Sequence, residues 1–147
     1  MSLKQTISED MKTAMRARDS ARLGAIRLLL AAVKQREVDE RIEVSDADVI
    51  VIIDKMIKQR RDSISQFEAA GRQELAEIEK FEISVLQVYM PQAMSESEVD
   101  IAVNAAIVSS GAKSHQEMGK VIALLKPALA GRVDMGKVSA LVKARLS

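Results

Sequence analysis

The same four residues, Met-Gly-Lys-Val, occur twice near the end of the chain, at residues 118–121 and 135–138. Each copy is predicted to lie at the start of a short helix, where unpaired N–H groups and a partial positive charge favour an anion. A glycine lets a phosphate or another backbone approach closely, and a lysine adds a full charge. The repeat therefore favours a surface that holds an anionic polymer. The alternative is that both glycines serve helix packing and both lysines are only solvated.

Positive charge is concentrated in the same part of the chain. The whole chain carries a net charge of +1, but residues 113–147 hold seven basic side chains against two acidic ones, a net charge of +5. A basic module of this kind favours phosphate-rich partners, although a chance surplus on a small solvated domain is the alternative. The candidate RNA-binding residues are Lys113, Gly119, Lys120, Arg132, Gly136, Lys137 and Lys143.

This tail contains no Phe, Tyr or Trp. It therefore offers no aromatic platform on which unpaired bases would stack. If the tail binds nucleic acid, we expect recognition through the phosphates and the shape of a folded RNA.

A second basic cluster lies in the first half of the chain, at Lys58, Arg61 and Arg72. These residues are candidates for binding a protein partner. Local ion pairing along a helix, for example between Lys58 and Asp62, is the alternative.

The chain lacks the residues that several kinds of chemistry require. There is no cysteine, and His115 is the single histidine, so a solvated surface role is expected for it. No metal-ligand cluster or glycine-rich phosphate loop is present, and we expect neither a metal nor a cofactor. No apolar stretch approaches the roughly 20 residues of a membrane span. No signal peptide is evident, and a cytoplasmic location is expected by default.

The elements that must position these residues are predicted to be helices, because helix-forming residues dominate and apolar residues recur at helical spacing. The first two helices are predicted at residues 3–18 and 21–38. Ser45 is predicted to cap a third, which Gly71 closes, and a fourth covers residues 73–89. The run at residues 49–53 also has strand propensity, and a strand is the alternative there.

Three shorter helices are predicted after a proline-containing joint at residues 90–92. Ser95 and Glu98 have capping-box spacing at the first of them, and Ser114 and Glu117 repeat that spacing at the second. Pro127 is predicted to end or kink the second helix, and Asp134 to cap the third. The sequence thus predicts an all-α fold. A four-helix N-terminal bundle (residues 1–92) joins a smaller three-helix C-terminal bundle (residues 93–147).

The chain resembles the YqeY proteins, whose C-terminal part is similar to the tail domain of GatB, the tRNA-binding subunit of the glutamine-dependent tRNA amidotransferase. In the first half the resemblance rests on residues 23–34, 58–63, 67, 70–72, 79, 82–83, 86 and 89–91. In the tail it rests on residues 111–112, 118–121, 131–132, 134 and 136. One residue departs from the pattern, because Val133 occupies a position that is usually small.

The resemblance implies a four-helix bundle joined to a three-helix bundle, and an association with tRNA or another structured RNA. It does not carry over the kinase-like catalytic domain of GatB, so catalysis by this chain alone is not expected. The activity class that the resemblance implies for the family is a carbon–nitrogen ligase with glutamine as amido-N donor. The alternative is a protein-interaction module, or a non-catalytic component that joins amidotransferase subunits.

Overall fold

The computed structural model describes residues 2–146, and within them the chain forms seven α-helices, one short 3-10 helix and no strand. The α-helices are α1 (Leu3–Arg16), α2 (Ser20–Glu40), α3 (Asp46–Ala69), α4 (Gln73–Gln87), α5 (Glu96–Ser110), α6 (Met118–Leu129) and α7 (Met135–Arg145), and the 3-10 turn is His115–Glu117. The prediction of an all-α fold is confirmed. Residues 49–53 lie inside α3, so the strand alternative is wrong.

Polar side chains determine where most of the helices begin. The side-chain oxygens of Ser2, Ser45 and Ser95 each accept a hydrogen bond from the backbone N–H three residues later. The side chain of that later residue in turn accepts a hydrogen bond from the backbone N–H of the serine. Asp19 caps α2 and Asp134 caps α7 with their carboxylates. Each cap satisfies N–H groups that the helix leaves unpaired. The predicted caps at Ser45, Ser95 and Asp134 are confirmed, and α2 begins one residue earlier than predicted.

The start of α6 was predicted wrongly. The side chain of Ser114 makes no capping hydrogen bond. The N–H of Glu117 instead donates to the Ser114 carbonyl at 3.0 Å, which forms the 3-10 turn ahead of α6. Pro127 does not end α6, which continues to Leu129 before Ala130 takes an extended backbone. The helices α1 and α4 each end two residues earlier than predicted.

The chain divides into two compact units, the first ending at Met90 and the second beginning at Pro91. The predicted boundary lies two residues beyond this division. The first unit contains α1 to α4, and each of these helices contributes to one apolar cluster. The fully buried large side chains of that cluster are Ile7, Ile26, Leu29, Val33, Val49, Ile53 and Leu86.

The second unit has a separate apolar cluster formed by α5, α6 and α7. Its fully buried large side chains are Val103, Val121, Leu129, Val138 and Val142. Val133, which departs from the family pattern, is half-buried and packs against this cluster. The larger side chain at this position is therefore accommodated by the core.

Tyr89 joins the end of the first unit to α1. Its Oη atom donates to Asp10 Oδ2 at 2.5 Å, and the residue is only 8% exposed. Burial, followed by the hydrogen bond and the charge of Asp10, raises the pKa of Tyr89 above its ordinary value. These three effects act in this direction because each disfavours a tyrosinate anion.

Because Tyr89 is the only tyrosine in the chain, its ionisation can be followed directly. We expect the tyrosinate absorbance of the native protein to remain low at about pH 10, where an unfolded tyrosine is half ionised. The folded-state pKa is raised, so its contribution to stability is complete below about pH 10 and is lost as the pH rises further. The urea-unfolded chain is the control and should titrate near its ordinary value. Native ionisation at that same pH, with unchanged helical circular dichroism, would contradict the assignment.

Candidate nucleic-acid interface

The two Met-Gly-Lys-Val copies occupy equivalent positions, because Met118 and Met135 are the first residues of α6 and α7. The valine of each copy is fully buried in the core of the second unit. The glycine and lysine of each copy are exposed. The predicted placement at helix starts is confirmed, and the valine anchors each copy so that its lysine faces solvent.

Several N–H groups at these helix starts already donate within the protein, more of them at α7 than at α6. At α7, Asp134 Oδ1 accepts from the N–H of Gly136 at 2.9 Å. The Asp134 carbonyl accepts from the next two N–H groups at 3.1 and 3.2 Å. At α6, the N–H of Met118 donates to the carbonyl of His115 in the 3-10 turn. Attraction for an anion at the start of α7 therefore depends mainly on the lysine side chain.

The two glycines have different structural roles. A Cβ atom added to Gly136 would lie 3.3 Å from Asp134 Oδ1, so this glycine makes room for the capping carboxylate. A Cβ atom added to Gly119 would meet nothing within 4 Å. Neither glycine is needed for packing against a neighbouring helix, and Gly119 exposes backbone on an open surface.

A hydrogen bond between distant residues determines which lysines lie together. His115 Nε2 is 2.9 Å from the carbonyl oxygen of Lys143. Because a carbonyl only accepts, Nε2 carries the hydrogen in this contact. The bond joins the turn before α6 to the last turn of α7, so the two helices run antiparallel. Lys113, Lys120 and Lys143 therefore lie at one end of the unit, which we call the lysine end.

The charges at the lysine end are available to a partner. Its three lysines are exposed. Lys120 approaches Glu117 at 3.8 Å, but its side chain is 67% exposed, so the pairing is weak. Among residues 2–146, neither Lys113 nor Lys143 has an ion-pair partner. His115 was expected to be merely solvated, and nothing in the sequence pointed to a contact 28 residues away.

The remaining candidates lie at the opposite end of the second unit. Arg132 Nε donates to the carbonyl of Gln92 at 3.0 Å, and the Arg132 carbonyl accepts from the N–H of Met94 at 3.0 Å. The first bond commits the Arg132 guanidinium to the segment before α5, and the second ties that segment to the Arg132 backbone. Lys137 lies beside Met94 in a cleft between α5 and α7. The two repeated lysines thus lie towards opposite ends of the antiparallel pair α6 and α7.

The basic cluster of the first unit is less concentrated than its sequence indicates. Lys58 forms an ion pair with Asp54 at 3.1 Å. Arg61 and Arg72 are exposed, and no hydrogen bond or ion pair in the described part of the chain connects the three candidates. Arg60 points inward instead and pairs with Glu82 at 3.0 Å.

The described part of the chain contains neither a metal site nor a membrane-spanning helix. Residues 2–146 contain no group of three or more histidine, aspartate or glutamate residues that would hold a metal ion. Over the same range, no helix has both the length and the apolar character needed to cross a bilayer.

A sequence model of the family described as Yqey-like protein matches residues 4–146. The chain belongs to this family. The match confirms the YqeY resemblance and extends over nearly the whole chain.

The chain is also similar to fungal members of the YqeY family that bear the name "Altered inheritance of mitochondria protein 41, mitochondrial". The relative from Eremothecium gossypii is 35% identical over 100 residues, which are 67% of this chain and 55% of that protein. The relative from Lachancea thermotolerans is 37% identical over 67% of this chain and 54% of its own length. The relative from Kluyveromyces lactis is 39% identical over 66% and 54%. The chain therefore spans little more than half the length of these relatives.

These names correct the expected location. The sequence predicted a cytoplasmic location only by default, from the lack of any recognised targeting segment. The similar YqeY proteins are named as mitochondrial proteins, which contradicts that expectation. A default of this kind fails because residues that build a helical core carry no information about the compartment.

The different environments of the two repeated glycines lead to a stability prediction. We expect Gly119→Ala to stabilise the protein by up to about 1 kcal/mol, because the added methyl enters open space and alanine favours a helix. Gly136→Ala should gain less or lose stability, because its methyl crowds the Asp134 carboxylate. Urea unfolding followed by circular dichroism measures both variants. An equal gain from the two substitutions would contradict the role assigned to Gly136.

Proposed function

We propose that this YqeY-family chain is an accessory protein that binds structured RNA, with tRNA as the expected class, through the second unit. The observation that carries the proposal is the lysine end, where the His115–Lys143 hydrogen bond gathers three exposed lysines from separate segments. Among the ion pairs of residues 2–146, one involves these lysines, the 3.8 Å approach of Glu117 to Lys120. Exposed cations that are clustered and weakly paired attract phosphate groups.

The geometry favours an extended polyanion over a single small anion. Lys137 and Lys143 of the lysine end are six residues apart on α7, roughly 9 Å along its axis and on different faces of the helix, so one phosphate group would contact only one of them. A folded RNA presents phosphates over that distance. At the start of α7 the N–H groups of residues 136–138 already donate to Asp134, so contacts there would come from lysine side chains, which sense the position and charge of phosphates.

The choice of tRNA rests on the resemblance of the tail to the tail domain of GatB. The lack of aromatic residues in the tail supports recognition of a folded shape over recognition of unpaired bases. In this proposal the four helices of the first unit form one bundle and the three helices of the second form another, with the RNA surface confined to the second. Chemistry on the RNA would be performed by a partner enzyme.

Charge reversal at the lysine end tests the RNA surface. We expect Lys120→Glu combined with Lys143→Glu to weaken binding of bulk tRNA at least about tenfold at low salt, because two phosphate contacts become repulsive. The slope of log affinity against log salt should decrease by about two. Fluorescence anisotropy at several salt concentrations measures both quantities, with an unstructured RNA of equal length as comparison.

A matched variant separates this local effect from the change in net charge. Lys34→Glu with Lys55→Glu makes the same change in net charge on two exposed residues of the first unit. It should leave the affinity and the salt slope nearly unchanged. Equal losses from the two double variants would mean that only net charge matters, and the proposed surface would be wrong.

The exposed backbone at Gly119 gives an independent test. Gly119→Leu should leave the fold intact, since the position is open and leucine favours a helix. It should nevertheless weaken tRNA binding severalfold, because the side chain holds the RNA away from α6. Gly24→Leu is the control, since Gly24 is also an exposed helical glycine with open space around it. Unchanged affinity in Gly119→Leu would exclude close approach of RNA at this helix start.

A further inference from the structure

Three arginines lie where α1 connects to α2. Arg16 is the last residue of α1, Arg18 lies in the connection, and Arg22 is in the first turn of α2. Arg16 and Arg18 are exposed, and Met15 beside them is 47% exposed. We call these four residues the arginine corner. Residues 1–92 hold 15 basic and 16 acidic side chains, a net charge of −1, and this near balance conceals the cluster in the sequence.

The positive charge of the arginine corner is not compensated within the chain. In the part of the chain that the structure describes, no ion pair involves any of its three arginines. Asp19 is the one acidic residue beside them in the sequence. Its Oδ1 atom is engaged in the cap of α2, where it accepts from the N–H of Arg22 at 3.2 Å. The Arg22 side chain is half-buried beside the Tyr89 hydroxyl, so Arg16 and Arg18 carry the exposed charge.

The other end of α2 has the opposite charge. Residues 37–48 hold six acidic side chains and one basic one, a net charge of −5. Most of these carboxylates already have partners within the chain. Glu37, for example, pairs with Lys4 at 2.9 Å. Asp46 accepts from the N–H of Leu3 at 2.9 Å. The first unit therefore engages its acidic side chains at one end of α2 and leaves basic ones without partners at the other.

This charge distribution favours a short acidic partner over a long polyanion. The 21 residues of α2 place its two ends roughly 30 Å apart, which is several Debye lengths at physiological salt. A long RNA that runs along the unit would meet the acidic end and be repelled there. An acidic segment of a few residues would be attracted to the arginine corner alone.

The side chains of the arginine corner are of the kinds found at protein interfaces. A guanidinium group donates two parallel hydrogen bonds to one carboxylate, a geometry that lysine lacks. Arginine and methionine are both enriched at protein–protein contacts. Among residues 12–22, Met15 is the single large apolar side chain that is exposed. One such side chain offers too little apolar surface for insertion into a lipid bilayer.

We propose that the arginine corner is a docking surface for an acidic segment of a partner protein. Aspartate or glutamate side chains of that segment pair with Arg16 and Arg18, and an apolar side chain covers Met15. The surface is independent of the lysine end, because all of its residues belong to the first unit. Its affinity is electrostatic in origin and falls as the salt concentration rises.

Binding of labelled poly-L-glutamate to the full chain tests this proposal. The starting protein carries Lys120→Glu and Lys143→Glu, because the lysine end would otherwise bind the same probe. On that background, Arg16→Gln with Arg18→Gly should weaken binding at least about fivefold at low salt, since two contacts to carboxylates are lost. Fluorescence anisotropy measures the affinity, and circular dichroism verifies that the helices are intact.

The chain offers a matched control at the other end of α2. Arg18 and Arg41 both have positive φ, at 56° and 54°, and each lies just after the end of a helix. Lys34→Gln with Arg41→Gly therefore makes the same change in net charge and relieves the same backbone conformation as the first double variant. It should leave the affinity for poly-L-glutamate nearly unchanged, because Arg41 lies within the acidic residues 37–48.

Two results with this probe would overturn the proposal. One is no binding of poly-L-glutamate by the starting protein even at low salt. The other is an equal loss of affinity in the two double variants, which would mean that net charge alone determines binding.

Two further probes distinguish other occupants of the arginine corner. Arg16→Gln with Arg18→Gly, made in the otherwise unaltered chain, should retain its affinity for bulk tRNA. A loss as large as that for poly-L-glutamate would make RNA the occupant and the proposal wrong. Vesicles of phosphatidylcholine and phosphatidylserine should not bind through the corner. Vesicle binding that this variant abolishes, with unchanged affinity for poly-L-glutamate, would assign the corner to a membrane surface instead.

Discussion

Both units exclude polar and charged side chains from their cores, and the rest of the structure depends on this constraint. None of the residues that the structure describes is a buried polar or charged one, and the cores consist almost entirely of aliphatic side chains. Desolvating an unpaired charge is costly, so each helix must turn its charged residues outward or pair them at the edge of the core. The positions of the surface charges therefore follow from the helical phase of the buried valines, leucines and isoleucines.

The Met-Gly-Lys-Val repeat of the second unit shows how a buried side chain determines the position of a neighbouring charge. Burial of Val121 and Val138 rotates Lys120 and Lys137 into solvent, and it does so identically in the two copies of the repeat. The copies nevertheless face different surroundings, because α6 and α7 are antiparallel and their starts lie at opposite ends. A repeat in sequence thus produces two separated points of positive charge, and a third segment strengthens only one of them.

Features that depend on local chemistry were predictable from the sequence, whereas those that depend on distant contacts were not. The caps at Ser45, Ser95 and Asp134 follow from a side chain and N–H groups a few residues away, so their spacing reveals them. At Ser114 the same spacing failed because a 3-10 turn competes for the same N–H group. The His115–Lys143 bond and the use of Arg132 to hold Gln92 join residues 28 and 40 positions apart. No periodicity in the sequence encodes such contacts.

The bond from His115 ends on a backbone carbonyl and not on the side chain of Lys143. The frame that brings the two chain segments together is therefore indifferent to which side chain occupies position 143. Charge at this position can be removed, reversed or replaced by mutation while the scaffold retains its shape. The lysine end can therefore change its ligand preference by mutation at position 143, and the intermediate sequences would still fold.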